Sequence, residues 1–168
     1  MKSIKEVKLE KETFFIIQAA VFSLASAFFV IVSWKSLRNI YSHGFYRFFA
    51  FEAILVLLLM NAPFWTRNPL SLLQLVSWTL LLFSVLFVFL GFYLLKKKGG
   101  SIKVREAQSE NLIFENTTIL VTEGIFKYIR HPMYCSLVLL VWGALFKHVT
   151  IFGFFIALIS TAFLVATA

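Results

Sequence analysis

From residue 70 to residue 95 the chain carries no charged side chain, and that run alone limits what the chain can become. It exceeds the roughly 20 apolar residues needed to cross the hydrocarbon core of a bilayer. In hydrocarbon a segment must satisfy its own backbone hydrogen bonds, so the run is predicted to be helix. Apolar runs also cover residues 14–34 and 48–65, the second broken near its end by Asn61 and Pro63. Two more follow, at 133–146 and 149–166. Together they predict an all-α polytopic membrane bundle of about five transmembrane helices. Composition agrees, with 60% hydrophobic and 14% charged residues and a mean hydropathy of +0.87. A soluble domain would carry nearer a quarter charged residues. At 168 residues a single domain over 1–168 is expected.

The connectors refine this outline. In the tail, Lys2, Lys5, Lys8 and Lys11 alternate with Glu6, Glu10 and Glu12, a pattern expected of a solvated helix end. Acidic residues upstream of the first apolar run fit a cleaved signal poorly, so that run is taken as a transmembrane helix. Residues 35–47 read as a polar connector. The turn Thr66-Arg67-Asn68-Pro69 is short enough to make the second and third helices antiparallel neighbours. Residues 133–146 are marginal for a full crossing and predict a short or tilted helix, forming a hairpin with the last one. Residues 101–130 form the longest polar segment, where water-facing chemistry is expected.

The formal charge of +8 sits in these connectors rather than on one face, so nucleic-acid binding is not indicated. With five crossings, ten Lys and Arg residues fall on the side holding residues 35–47 and 96–130, against six on the other. The positive-inside rule then places residues 101–134 at the cytoplasmic face. The single cysteine, Cys135, excludes an intramolecular disulfide and a cysteine-built zinc site. The sequence carries no metal-ligand cluster, phosphate-binding glycine loop or serine triad. His148 reads as a loop residue.

The densest polar cluster lies in residues 120–134, LVTEGIFKYIRHPMY. Pro132 suits the first position of a helix, and it pushes His131 out of helical geometry into a cap or hinge. The positive end of that helix then faces the polar loop and can receive an anion. Gly124 permits a tight turn. Phe126, Tyr128 and Tyr134 offer aromatic faces to an adenine ring or a sulfonium cation. On residue types alone the cluster is equally consistent with an interfacial anchor.

Spacing adds more. Leu120, Val121, Thr122, Gly124, Arg130, His131, Pro132 and Tyr134 match a pattern that resembles the isoprenylcysteine carboxyl methyltransferase and phospholipid methyltransferase superfamily. Where the family usually has a tyrosine, this chain has Phe126. A second segment, Ser42-His43-Gly44-Phe45-Tyr46-Arg47-Phe48-Phe49-Ala50-Phe51-Glu52, looks like prokaryotic members of the same family. The resemblance implies a multi-pass membrane enzyme that uses S-adenosylmethionine to methylate a membrane acceptor, such as a prenylcysteine carboxylate or another lipid. It implies catalytic roles for Arg130 and His131. Cofactor contacts would come from Leu120, Val121, Gly124, Phe126, His131, Pro132 and Tyr134. His43, Arg47 and Glu52 are expected to serve substrate or structure, with Glu52 paired to His43, Arg47 or Arg130. No metal is implied. Members usually continue with an Arg-x-Glu-Glu-x-x-Leu motif where this sequence ends, which implies a C-terminally short domain. Two alternatives remain: a non-catalytic membrane protein that keeps the fold, and an NADPH-dependent membrane reductase. Reductases typically read Arg-His-Pro-Asn-Tyr, and Met133 favours the methyltransferase branch.

Overall fold

The computed structural model describes residues 4–98 and 124–167. Within them the chain forms five α-helices and three short 3-10 turns, with no strand. The helices are α1 (Ile4–Ser33), α2 (His43–Asn61), α3 (Leu72–Lys98), α4 (Pro132–Leu145) and α5 (Ile151–Thr167). The first three are long and apolar enough to cross a membrane. α4 has 14 residues, about 21 Å at 1.5 Å per residue. That is short of the ~30 Å hydrocarbon thickness, as its sequence led one to expect.

Consecutive helices alternate in direction. Gln18 of α1 donates to the Leu59 carbonyl of α2, while Ser26 lies opposite Glu52. Ser77 of α3 reaches Gly143 of α4, and Ser84 reaches Ser136. Ser160 of α5 meets Ala50 of α2. One end of the bundle therefore gathers the start of α2, the end of α3, the start of α4 and the end of α5. The opposite end gathers the α2–α3 and α4–α5 turns.

Two pairings dominate, α3 with α4 and α2 with α5. Lipid tails are as apolar as leucine, so helices in a membrane associate through close packing and interhelical hydrogen bonds. The buried positions on α3 are Gln74, Ser77, Leu81, Ser84 and Gly91, a three-and-four spacing that keeps one seam against α4. On α2 and α5 the buried positions again include small residues: Gly44 and Ala50, then Gly153, Ala157 and Ser160. A core of Ile54, Leu57, Val141, Ala144, Leu145 and Leu164 closes between the pairs. Asn61, fully buried, ties α2 to α4 through its Nδ2 and the Ala144 carbonyl at 2.8 Å. Among the described residues α1 packs chiefly on α2 and its neighbouring 3-10 turn, leaving most of its apolar surface outward.

The start of α2 differs from expectation. The helix begins at His43, not near residue 48, and the connector contracts to residues 34–42. Ser42, extended at φ −77° and ψ 137°, sets the boundary. Gly44 and Arg47 are already buried against the preceding 3-10 turn (Ser36–Arg38) and the bundle. Tertiary packing thus extends the helix past the point where the apolar run stops. At the chain's beginning, helix persists into the charged tail, where Lys8 and Glu12 approach at 3.9 Å.

A cleft at the start of the fourth helix

α4 begins at Pro132, the position its sequence predicts. His131 precedes it at φ −124° and ψ 69°, and its carbonyl accepts the first helical bond, from the Cys135 N–H at 3.0 Å. Proline has no N–H to leave unpaired, so this helix start costs one fewer orphan donor. Pro132 is buried against α3, its ring packed beside Gly91. That contact fixes the position of the Arg130–His131 pair relative to the end of α3.

Upstream, Gly124 sits at φ +63°, left-handed backbone that opens the turn its sequence position allowed. A Cβ there would come 2.7 Å from Leu94 Cδ1 of α3. The turn that follows (Gly124–Lys127) packs on the end of α3. Phe126 is half-buried, while Tyr128 is exposed beside Lys127. Left-handed backbone costs a non-glycine residue roughly 1–2 kcal/mol. The Leu94 side chain can swing aside, so backbone strain should set the effect of Gly124→Ala. About tenfold faster amide exchange over residues 124–131 is expected, measurable by mass spectrometry. Unchanged exchange would show that the turn does not depend on glycine.

The pair opens onto a cleft of about 310 Å³, lined by Ile129, Arg130, His131, Tyr134, Cys135, Val138, Leu164 and Val165. Arg130 and His131 are exposed at its mouth. The Tyr134 and His131 rings meet edge to face, centroids 6.2 Å apart. Below the mouth the wall is chiefly apolar and belongs to α4 and α5. The cleft joins a cationic, hydrogen-bonding rim to a hydrocarbon-like interior, and its size lies within the range of small-molecule sites.

The residues expected to act together are thus divided. Arg130, His131 and Tyr134 share the cleft. Pro132 and Gly124 support it from behind by packing on α3, and Phe126 lies in the turn that leads to it. Leu120 and Val121 fall outside the described residues. His43, Arg47 and Glu52 lie on α2, outside the cleft lining, although His43 and Arg47 are at the same end of the bundle. α2 meets α5 beside the cleft's far wall, where the Phe163 ring packs at a tilt against Tyr46 and Phe49. Arg47 is buried. Glu52 forms no ion pair with His43, Arg47 or Arg130; its Oε1 accepts from Ser26 at 2.8 Å. The α1–α2 contact is braced by a hydroxyl, which avoids burying a second charge. The far wall, Leu164 and Val165, had no polar or motif signal in the sequence. Among the described residues no group of His, Cys, Asp or Glu could hold a metal ion.

A model of the phospholipid methyltransferase family matches residues 73–168. The chain belongs to that family. The match runs from the start of α3 through α5 and so includes every residue lining the cleft. It bears out the resemblance read from residues 120–134. With three helices able to span a membrane, membership makes this an integral membrane protein of a class that transfers methyl groups to membrane substrates. No curated protein and no solved structure matches the chain.

Proposed function

We propose that the chain is a multi-pass membrane methyltransferase that uses S-adenosylmethionine to methylate a lipid or lipidated acceptor at the cleft between α4 and α5. The observation that carries this reading is the union of an Arg130–His131 rim with an apolar wall, inside the residues that match the family. An acceptor with a polar head and a hydrocarbon tail fits that combination. A prenylcysteine carboxylate is one such molecule. The described residues also fit the donor's carboxylate: Arg130 and His131 offer cationic or N–H donors beside the positive end of a helix. Tyr134 offers a ring face. Contacts assigned by resemblance to Leu120 and Val121 complete the proposed site.

S-adenosylmethionine supplies an electrophilic methyl group. Arg130 and His131 hold anionic groups at the rim, and the apolar wall of Val138, Leu164 and Val165 excludes water from the line of attack. Fixing two reactants in this way is worth on the order of 7–11 kcal/mol of barrier. The excess of Lys and Arg in the connectors at this end supports a cytoplasmic rim, and the resemblance of residues 42–52 to prokaryotic members supports a prokaryotic cell membrane. All five helices cross in this reading, the short α4 and α5 by local thinning of the bilayer.

Calorimetry of S-adenosylhomocysteine binding to detergent-solubilised protein tests the reading. His131→Ala should weaken binding at least tenfold, about 1.4 kcal/mol, without altering the helical circular dichroism. NADPH should produce no heat. A folded sample that binds NADPH and not S-adenosylhomocysteine would overturn the proposal.

A further inference from the structure

His131 and Tyr134 occupy the N-cap and the third position of α4, the spacing at which a capping box ties two side chains to the helix backbone. Here the pair is joined differently. His131 makes no side-chain capping bond, and among the described residues neither imidazole nitrogen has a hydrogen-bond partner. What the imidazole meets is the Tyr134 ring, at an interplanar angle of 67° and a centroid distance of 6.2 Å. That distance lies within the range of edge-to-face aromatic pairs.

The two residues are anchored unequally. His131 is exposed and stands outside the helix, at φ −124° and ψ 69°. Exposed side chains flip between rotamers on the picosecond-to-nanosecond scale. Tyr134 lies inside the helix, half-buried, and packs against the core that includes Val141 and Leu164. The bundle therefore fixes the tyrosine, and its ring is a platform for its neighbour. Both residues line the cleft. A hydrogen bond would also hold the imidazole, but it would consume a nitrogen. A ring contact holds it and leaves both nitrogens for a ligand. Ordering the side chain beforehand lowers the cost that a ligand meets on binding.

We propose that Tyr134 is a positioning residue, whose ring fixes the His131 imidazole at the cleft rim with both nitrogens left for the ligand. Its contribution to affinity then passes largely through His131. That consequence rests on the reading of the cleft as the S-adenosylmethionine site, whereas the ring contact does not.

The test uses the full chain in detergent, with the nuclear magnetic resonances of the histidine rings and the affinity for S-adenosylhomocysteine as readouts. The chain has three histidines, so each is assigned by a single substitution. His43 is exposed, and His148, at the opposite end of the bundle, stacks on Phe64 at 3.8 Å. Tyr134→Leu should move the His131 resonances towards those of His43. The His148 resonances should stay in place, which checks that the bundle remains folded. Tyr134→Phe keeps the ring and should leave all three where they are. In calorimetry Tyr134→Leu should weaken binding about fivefold. Combined with His131→Ala it should weaken binding no further than His131→Ala does alone, because side chains that act through one contact are not additive. Unmoved His131 resonances in Tyr134→Leu, or losses that multiply in the double variant, overturn the proposal. An unaltered protein that binds no S-adenosylhomocysteine sinks the cofactor reading instead, and the resonances still decide the ring contact.

Discussion

Replacing Lys147 by alanine should lower unfolding stability by about 3 kcal/mol, a larger loss than any surface lysine would give. Lys147 lies in the turn between α4 and α5, outside the spanning helices, and is only 5% exposed. Its Nζ stands 3.5 Å from the centre of the Trp78 ring and 5.6 Å from that of Trp65. It donates to Gln74 Oε1 at 3.0 Å. Gln74 Nε2 in turn donates to the carbonyls of Lys147 and Phe64, and His148 stacks on Phe64 at 3.8 Å. One side chain therefore clasps the α2–α3 turn to the α4–α5 turn. A desolvated cation–π contact is worth about 2 kcal/mol, and a hydrogen bond from a charged group about 1.5–3. Removing the charge recovers part of its burial cost, which is why the sum is not expected in full. Lys147→Met keeps the aliphatic stem, so it should cost less, about 1–2 kcal/mol.

Burial pushes the Lys147 amine below its ordinary value of 10.5. Between the lowered folded value and that of the unfolded chain, the unfolded state holds more protons, so stability should rise with pH across this alkaline window. Lys147→Met should flatten that rise. Unfolding in mixed micelles at several pH values reads both effects. An alanine variant as stable as the parent would show that the cage contributes nothing to the fold.

This cage illustrates what the sequence could not say. Lys147-His148 reads as a polar loop, because the partner Gln74 lies 73 residues away and no local pattern joins them. The helices themselves were legible because hydrocarbon forces any long apolar run into helix. Pro132 and Gly124 were legible for a related reason: each has a backbone preference that acts within one or two residues. The beginning of α2 was not, since its first turn is held by burial of Gly44 and Arg47 against a neighbouring turn and the bundle. For the same reason Glu52 found Ser26, a neutral partner on α1, rather than the basic residues nearer in sequence. In the cleft, the motif marked the rim and missed the apolar far wall, which α5 supplies from residues that look like any other membrane-facing helix.

The α3–α4 seam yields a prediction of opposite signs at two glycines. Gly143→Val should destabilise the protein by about 3 kcal/mol, near the top of ordinary overpacking costs. A Cβ at Gly143 would lie 2.9 Å from Leu81 Cγ and 3.3 Å from the Leu81 backbone nitrogen. Leu81 is itself buried, and a backbone atom cannot swing aside, so the helices must part. A Cβ at Gly91 would lie 3.5 Å from its nearest neighbours, in Met133 and Pro132, an ordinary contact distance. Gly91→Ala should therefore be tolerated, and the helix gains roughly 0.5–1 kcal/mol from losing a glycine. The hydrogen bonds along the seam weigh less. Ser77→Ala and Ser84→Ala should cost about 0.6 kcal/mol each, the average for interhelical bonds in membranes, although both serines donate at 2.6–2.8 Å. Shape thus outranks hydrogen bonding at this interface. The consequence extends to the cleft, because parting α3 from α4 withdraws the wall that seats Pro132 and unsettles Arg130 and His131. If the proposed cofactor site is right, Gly143→Val should lower affinity for S-adenosylhomocysteine along with stability, and Gly91→Ala should leave it unchanged. Equal unfolding midpoints for the two glycine variants would contradict the close approach on which this argument rests.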